Sequence, residues 1–155
     1  MLQVDINQQA SLPDAIDESQ LCAWIKSAYL EQQSPVAAEV SVAIVEPHTI
    51  QALNAEFREQ EKPTNVLAFP AGDTAQGETR HLGDIVLCAA IIEREAMDQR
   101  KHSAFHWAHM AVHGMLHLQG YDHIEAGQAA RMENLEIKLL AGLGIANPYS
   151  HELAN

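Results

Sequence analysis

The segment from Ser103 to Leu118 constrains the fold more strongly than any other part of the chain. Apart from its histidines, almost every residue in it is apolar, and a helix that is apolar nearly all round is buried nearly all round. A polar stripe would run along this helix within an arc of about 80°, at ~100° per residue. The stripe consists of His102, His106, His109, His113 and His117. The sequence therefore predicts a central helix that carries histidines through an apolar core.

The end of the stripe begins a second pattern, His-x-x-x-His-x-x-Gly-x-x-His. His113 and His117 would lie one turn apart on one face, with their rings converging. His123 would point about 120° away from His117 if the helix continued. Gly120 stands where the helix has to end for His123 to turn back, and glycine readily takes the left-handed conformation that ends helices.

Three imidazoles leave one position of a tetrahedral site open, which is typical of catalytic rather than structural zinc. An ion with only neutral ligands keeps its +2 charge, so it acidifies bound water and polarises a carbonyl or phosphoryl oxygen. Ligand geometry favours zinc, although other divalent transition metals also bind imidazole. We predict one Zn²⁺ ion held by His113, His117 and His123.

The same spacing occurs in metzincin metalloproteases, in which a glutamate follows the first histidine and acts as the general base. Position 114 is Gly in this chain, so that base is absent. A metzincin-like zinc peptidase would need its base from elsewhere, such as Glu59 or Glu61.

The run His-Gly-x-Leu-His-Leu-x-Gly-Tyr-Asp-His also resembles the signature of the bacterial YbeY endoribonucleases, the rRNA maturation factors. Other segments match this family in order and spacing, so that the resemblance covers about residues 39 to 143. These segments are Asn54–Arg58, Lys62–Pro70, Gly83–Cys88 and Trp107–Met110.

The resemblance implies a zinc-dependent endoribonuclease that is specific for single-stranded RNA. It implies a role in rRNA processing, including maturation of the 3′ end of the small-subunit RNA, and in ribosome quality control. The implied partners are single-stranded RNA or rRNA and ribosomal small-subunit proteins. Neither the proton acceptor nor the nucleophile is assigned, since water and the RNA 2′-hydroxyl both fit. A nonenzymatic assembly factor stabilised by zinc is the other alternative.

The resemblance also makes Arg58 a catalytic candidate, because it matches the arginine that the family places before Pro-Thr-Asn and uses for activity. A fixed guanidinium holds a phosphate or stabilises charge that develops on it. Taken alone, Arg58 would be explained as a cation near a helix C-terminus. Pro63–Asn65 is interpreted as a turn that leads into a strand.

Composition fits one domain over residues 1–155, since 47% of the residues are hydrophobic. With no apolar run long enough for a membrane span and no signal peptide, we expect a cytoplasmic protein. Cys22 and Cys88 are expected to be buried free thiols.

The net charge of −12 opposes nonspecific attraction to RNA. A local basic rim is still conceivable, because six of the nine cationic residues lie between Arg58 and Lys101.

Apolar periodicity predicts an α+β domain: a small mixed sheet of about four strands, packed with helices around the buried metzincin-like metal helix. Phe57 is expected to face the core, and the loop at residues 70–82 to border a cleft. The expected strands cover residues 3–7, 40–44, 66–69 and 84–88. The expected helices start after Asp17 and at Pro47, and cover residues 103–118 and about 125–143.

The remaining polar residues near the metal motif have ordinary explanations. His102 and His106 lie near the helix start, so we expect both to be solvated. His109, one turn before His113, is expected to be structural, with a role behind the metal ligands or in contact with substrate as the alternative. Asp84 and Asp122 are candidates to orient the ligand imidazoles, with caps and turns as alternatives.

Overall fold

The computed structural model describes residues 1–71, 75–76, 79–121 and 125–149. Within these ranges, strands occupy mainly the first half of the chain and helices the second. The strands are β1 Leu2–Gln8, β2 Ala37–Val45, β3 Val66–Pro70, β4 Ala75–Gln76 and β5 Thr79–Cys88. The helices are α1 Glu18–Ser27, α2 Pro47–Arg58, α3 Ala89–Asp98, α4 Ser103–Leu118 and α5 Ala126–Gly142.

The strands form one mixed sheet. β1, β2 and β5 are parallel neighbours in that order, and β3 joins β5 antiparallel as the last strand. The short β4 pairs with the start of β5. The predicted α+β fold with a mixed sheet of about four long strands is confirmed. The expected loop at residues 70–82 is wrong in part, because β4 and the first residues of β5 pair within it.

Two of the helix starts follow capping signals in the sequence. Asp17 accepts from the Gln20 N–H at 2.8 Å, and the Gln20 side chain accepts from the Asp17 N–H at 3.0 Å, which makes a capping box. Pro47 occupies the first turn of α2, where its missing N–H costs nothing. The sequence did not predict α3, because α3 follows β5 directly and its N-cap, Cys88, makes no side-chain capping bond.

The two faces of the sheet carry separate apolar clusters. Ile85 and Leu87 of β5 point into the larger cluster, which includes residues of α1 and α4. Val86 and Cys88 point the other way, into a smaller cluster that includes residues of α2. This alternation is the two-residue period of a strand, and it places α2 and α4 on opposite faces of the sheet.

One core prediction for α2 is wrong. Ile50 is buried and Leu53 packs against the smaller cluster, as expected. Phe57, however, is 56% exposed. It lies in the last turn of α2, where its ring meets the ring of Phe69 edge-on, with 5.3 Å between the centroids. The buried part of the apolar face of α2 therefore ends before the helix does.

No helix in the described ranges is long and apolar enough to cross a membrane. Both cysteines are free thiols; Cys88 is buried as predicted, whereas Cys22 is only partly buried. Burial raises the pKa of both thiols, so they stay protonated and weakly nucleophilic near neutral pH.

α4 is the central helix, as its composition predicted. It contacts α1, α3 and α5 and lies on β3 and β5. Gly114 allows a close approach to the sheet. A Cβ atom at this position would lie 3.0 Å from Cγ2 of Ile85 and 3.1 Å from Cγ2 of Val66. Both neighbours are β-branched strand residues, whose χ1 angles are stiff.

Gly114→Ala should therefore lower the free energy of unfolding by about 1–2 kcal/mol, because overpacking outweighs the better helix propensity of alanine. Gly127→Ala in α5 is the control, since nothing lies within 4 Å of the added Cβ. It should leave stability unchanged or slightly higher. Urea denaturation measures the free energy of unfolding of both variants. Equal changes in the two variants would show that α4 does not need a glycine where it contacts the sheet.

Candidate metal centre

The helix that carries the histidines ends where the sequence predicted. α4 stops at Leu118, and Gly120 takes a φ of 102°. The Tyr121 N–H donates to the Leu116 carbonyl and the Gly120 N–H to the His117 carbonyl, each at 3.1 Å. This pair of bonds is a Schellman motif, which reverses the chain after a helix. The helix end and the left-handed conformation that we expected of Gly120 are confirmed, whereas the return of the chain to His123 lies outside the described residues.

Gln119 fastens this turn to the end of α1. Its amide donates to the Ala28 carbonyl at 2.8 Å, and its side-chain oxygen accepts from the Leu30 N–H at 2.9 Å. The position of the chain after α4 is thus set by long-range bonds as well as by the Schellman motif.

His113 and His117 lie together on the half-buried side of α4. Their ring centroids are 5.8 Å apart and the rings are nearly perpendicular, at 89°. Two imidazoles bound at about 2.0 Å to one tetrahedral zinc ion hold their centres about 5 Å apart. The observed spacing is therefore close to that of two ligands of one ion.

His123, the third predicted ligand, lies outside the described residues, as does Asp122. The described residues taken alone contain no group of three or more His, Cys, Asp or Glu side chains that would hold a metal. The three-histidine site therefore stays a prediction, with two of its members brought together on α4.

A buried carboxylate from α5 lies behind these histidines. Glu136 is 1% exposed. Its Oε2 lies 2.7 Å from Nε2 of His109 and 3.3 Å from Nδ1 of His113, and its Oε1 accepts from the Tyr149 hydroxyl at 3.0 Å. Burial alone would raise the pKa of Glu136, but the hydrogen bonds from His109 and His113 outweigh it and lower the pKa to about 2. Glu136 is therefore ionised.

Sequence reasoning missed Glu136 and considered Asp84 instead. Asp84 is exposed and shares its side of β5 with Val86, facing away from α4. A sequence signal for Glu136 did exist. It falls between Met132 and Leu140 at intervals of four residues, on the apolar face of α5, where a charged residue needs a partner.

His106 corrects another expectation. We expected it to be solvated, but its side chain is 3% exposed, and its Nε2 lies 2.9 Å from Glu95 of α3. Glu95 also accepts from the Asn65 amide at 3.0 Å. Burial lowers the pKa of His106 despite the opposing hydrogen bond to Glu95, so His106 is neutral near pH 7. His102 is exposed, as expected.

Asn65 is bonded on several sides at the point where the chain enters β3. Its side-chain oxygen accepts from the Val66 N–H at 2.7 Å, and its carbonyl accepts from the Cys88 N–H at 2.9 Å. The bond to Glu95 ties the same residue to α3. Asn65 therefore fixes the start of β3 against the end of β5 and α3.

Arg58 stands at the outer edge of the sheet. One of its terminal nitrogens donates to the Ala68 carbonyl at 2.6 Å, and its guanidinium carbon lies 5.4 Å from the centroid of the Phe69 ring. A guanidinium carries five N–H donors, so one bond to the backbone leaves donors for an anion. The side chain is exposed, and the contacts with β3 give it a defined position.

The same strand relates Arg58 to α4. Gly114 lies against Val66, and Leu118 lies against Gly83, which is the partner of Pro70 in β5. Through Ala68 and Phe69, Arg58 therefore contacts β3, one of the two strands on which the histidine helix lies.

A cleft opens at the end of α4. Residues of the segment 70–82, which we expected to border a cleft, lie in its wall. Its volume is about 540 Å³. Pro70, Arg80 and Leu82 line one side of it, and Leu118 and Tyr121 line another.

His106→Ala should lower the free energy of unfolding by about 2–3 kcal/mol, because it empties a buried position and removes a partner of Glu95. His102→Ala is the control on the same stripe and should change stability by less than about 0.5 kcal/mol. Urea denaturation tests this pair. An unchanged free energy of unfolding in His106→Ala would mean that the buried contact between His106 and Glu95 does not stabilise the protein.

Comparison with known proteins agrees with the resemblance in the sequence. The endoribonuclease YbeY family model matches residues 3–144. The endoribonuclease YbeY of Alcanivorax borkumensis is 43% identical over 151 residues, which cover 95% of this chain and 86% of that protein. The endoribonuclease YbeY of Cellvibrio japonicus is 46% identical over 147 residues, which cover 95% of this chain and 82% of that protein. The solution structure of TM1509 from Thermotoga maritima has the same fold, with a TM-score of 0.54 and 22% sequence identity. The match covers 97% of this chain and 99% of that one. The chain therefore belongs to the endoribonuclease YbeY family of nucleases.

Proposed function

We propose that this protein is a zinc-dependent endoribonuclease, formed by a single domain over residues 1–155, that cleaves single-stranded RNA in the cytoplasm. The proposal places it in rRNA processing, including maturation of the small-subunit 3′ end, and in ribosome quality control with small-subunit proteins as partners. Family membership supports the nuclease activity. The observation that carries the metal site is the paired arrangement of His113 and His117 at the end of a buried helix.

His113 and His117 would hold the ion together with His123. The donor set fits, because imidazole nitrogens suit zinc and three of them leave a position open. When bound, zinc supplies Lewis acidity for a phosphoryl oxygen and lowers the pKa of water. Two of these histidines lie on the central helix, so the packing of α4 fixes their positions.

Arg58 would hold the phosphate. Its anchor on the Ala68 carbonyl and its packing on Phe69 reduce the freedom of the guanidinium before RNA binds. A preorganised donor group stabilises charge on the phosphoryl oxygens without reorganising during the reaction. The strand that carries Ala68 and Phe69 also lies against Gly114 of the histidine helix through Val66.

RNA binding would depend on this local geometry rather than on overall charge. Two basic residues of the expected rim have other partners: Arg80 pairs with Glu31 at 3.1 Å, and Lys101 donates to the Pro148 carbonyl at 3.1 Å. With a net charge of −12, little affinity for bulk nucleic acid is expected.

The position of Gly114 weakens the peptidase alternative. A metzincin has its general base at this position, but here the position faces the sheet, where even a Cβ would lie only 3.0 and 3.1 Å from the Cγ2 atoms of Ile85 and Val66. Glu59 and Glu61 are exposed residues after α2. The nonenzymatic alternative, in which zinc only ties the last helix to α4, predicts a bound metal without RNA cleavage.

His117→Ala should lose both zinc and RNA cleavage, whereas Arg58→Ala should keep zinc and the fold but lose at least about 100-fold in cleavage rate. Arg94→Ala, an exposed arginine on α3, is the charge-matched control and should cleave at the wild-type rate. The assays are metal content, thermal stability and cleavage of a single-stranded RNA.

Two results would overturn the proposal. Zinc-loaded wild-type protein that never cuts RNA would favour the assembly factor, and hydrolysis of unstructured protein that His117→Ala abolishes would favour the peptidase. For an active nuclease, analysis of the product ends identifies the nucleophile. A 2′,3′-cyclic phosphate indicates attack by the RNA 2′-hydroxyl, and a 5′-phosphate indicates attack by water.

A further inference from the structure

We infer that Glu136 is a positioning residue for His113, and that Tyr149 of the C-terminal segment supports it, so that this segment helps to set the affinity for the metal. The inference rests on the proposed function, because it takes His113 as a metal ligand. It adds residues that touch neither the metal nor RNA.

Glu136 has the environment of a carboxylate that organises its neighbours. An ionised carboxylate buried to this degree costs several kcal/mol unless donors surround it. Three side chains meet it, two from α4 and one from the C-terminal segment: His109 at 2.7 Å, His113 at 3.3 Å and Tyr149 at 3.0 Å. A carboxylate accepts hydrogen bonds, and the Tyr149 hydroxyl donates one to it. With the ring protons of His109 and His113 on the nitrogens that face Glu136, the arrangement has a fixed polarity.

That polarity selects one tautomer of His113. When Nδ1 carries the proton and donates it to Glu136, the lone pair of the neutral ring is on Nε2, at the other side of the imidazole. Nε2 is then the nitrogen that binds the metal. A carboxylate behind a ligand histidine fixes the orientation of its ring and raises its basicity.

His109 has a different role from His113, although it lies one turn before it. Its Nε2 faces Glu136 and the Tyr149 hydroxyl, at 2.7 and 3.2 Å. Its Nδ1 is buried without a hydrogen-bond partner among the described residues. A bare lone pair costs less there than a bare N–H, which favours a ring proton on Nε2 of His109, facing Glu136. It holds Glu136 in place from the side away from His117.

Tyr149 brings the C-terminal segment into this network. Its hydroxyl lies 3.0 and 3.2 Å from the two Glu136 oxygens, and its ring meets the His109 ring edge-on, with 5.3 Å between centroids. The segment is anchored just before Tyr149: Ile145 is buried in the core, and Lys101 donates to the Pro148 carbonyl. Tyr149 therefore reaches Glu136 from a fixed backbone.

Glu136→Gln in the full chain tests the inference. The glutamine amide has nearly the same shape, but its NH₂ group opposes the donors around it. The zinc dissociation constant, measured by competition with a chelator, should rise about 10- to 100-fold. In the zinc-free protein, ¹⁵N chemical shifts of the His113 ring should change from the Nδ1–H tautomer to a mixture. Tyr149→Phe, which removes one donor, should raise the dissociation constant by a smaller factor.

Glu133→Gln, an exposed position on the same helix, is the matched control and should bind zinc like the wild type. A Glu136→Gln protein that melts at a lower temperature but binds zinc within twofold of wild type would overturn the inference. Should that variant not fold, unchanged zinc affinity and unchanged His113 shifts in Tyr149→Phe would overturn it. If His117→Ala binds zinc as tightly as wild type, the proposed metal site itself is wrong. That result differs from failure of the inference about Glu136, in which His117→Ala loses zinc but Glu136→Gln does not.

Discussion

The contact between Gly114 and the sheet is the constraint on which the site depends. With this residue pressed against Ile85 and Val66, α4 cannot rotate about its axis without a clash or a void. At ~100° per residue, His113 and His117 then both fall on the same side of the line of contact, about 60–100° from Gly114. The packing of one glycine thus fixes the direction of two candidate ligands.

The histidine stripe is divided by its partners. His106 pairs with Glu95 of α3, and His109 pairs with Glu136 of α5, so both are used inside the protein. Toward the end of the helix the stripe becomes half-buried, at His113 and His117. One periodic pattern in the sequence therefore serves two purposes: packing along most of the helix and candidate metal binding in its last turns.

Much of this site follows from short-range patterns. The periodicity of α4 and the glycine at position 120 predicted a buried helix, its end and a left-handed residue after it, because these depend on neighbouring residues. Glu95 and Glu136 meet the histidines across the fold, and no local pattern states which carboxylate reaches which imidazole. The exposure of Phe57 was missed for a similar reason, since only the packing of the whole fold decides which apolar residues of α2 are covered. Family resemblance, rather than periodicity, was needed to single out Arg58.

X-ray absorption at the zinc edge of the metal-loaded protein tests the central claim most directly, which is that three histidines hold one catalytic ion. The account predicts one zinc ion per chain, with nitrogen and oxygen neighbours at about 2.0–2.1 Å and the scattering pattern of three imidazoles. Sulfur neighbours at about 2.3 Å, a single imidazole or no bound zinc would contradict it.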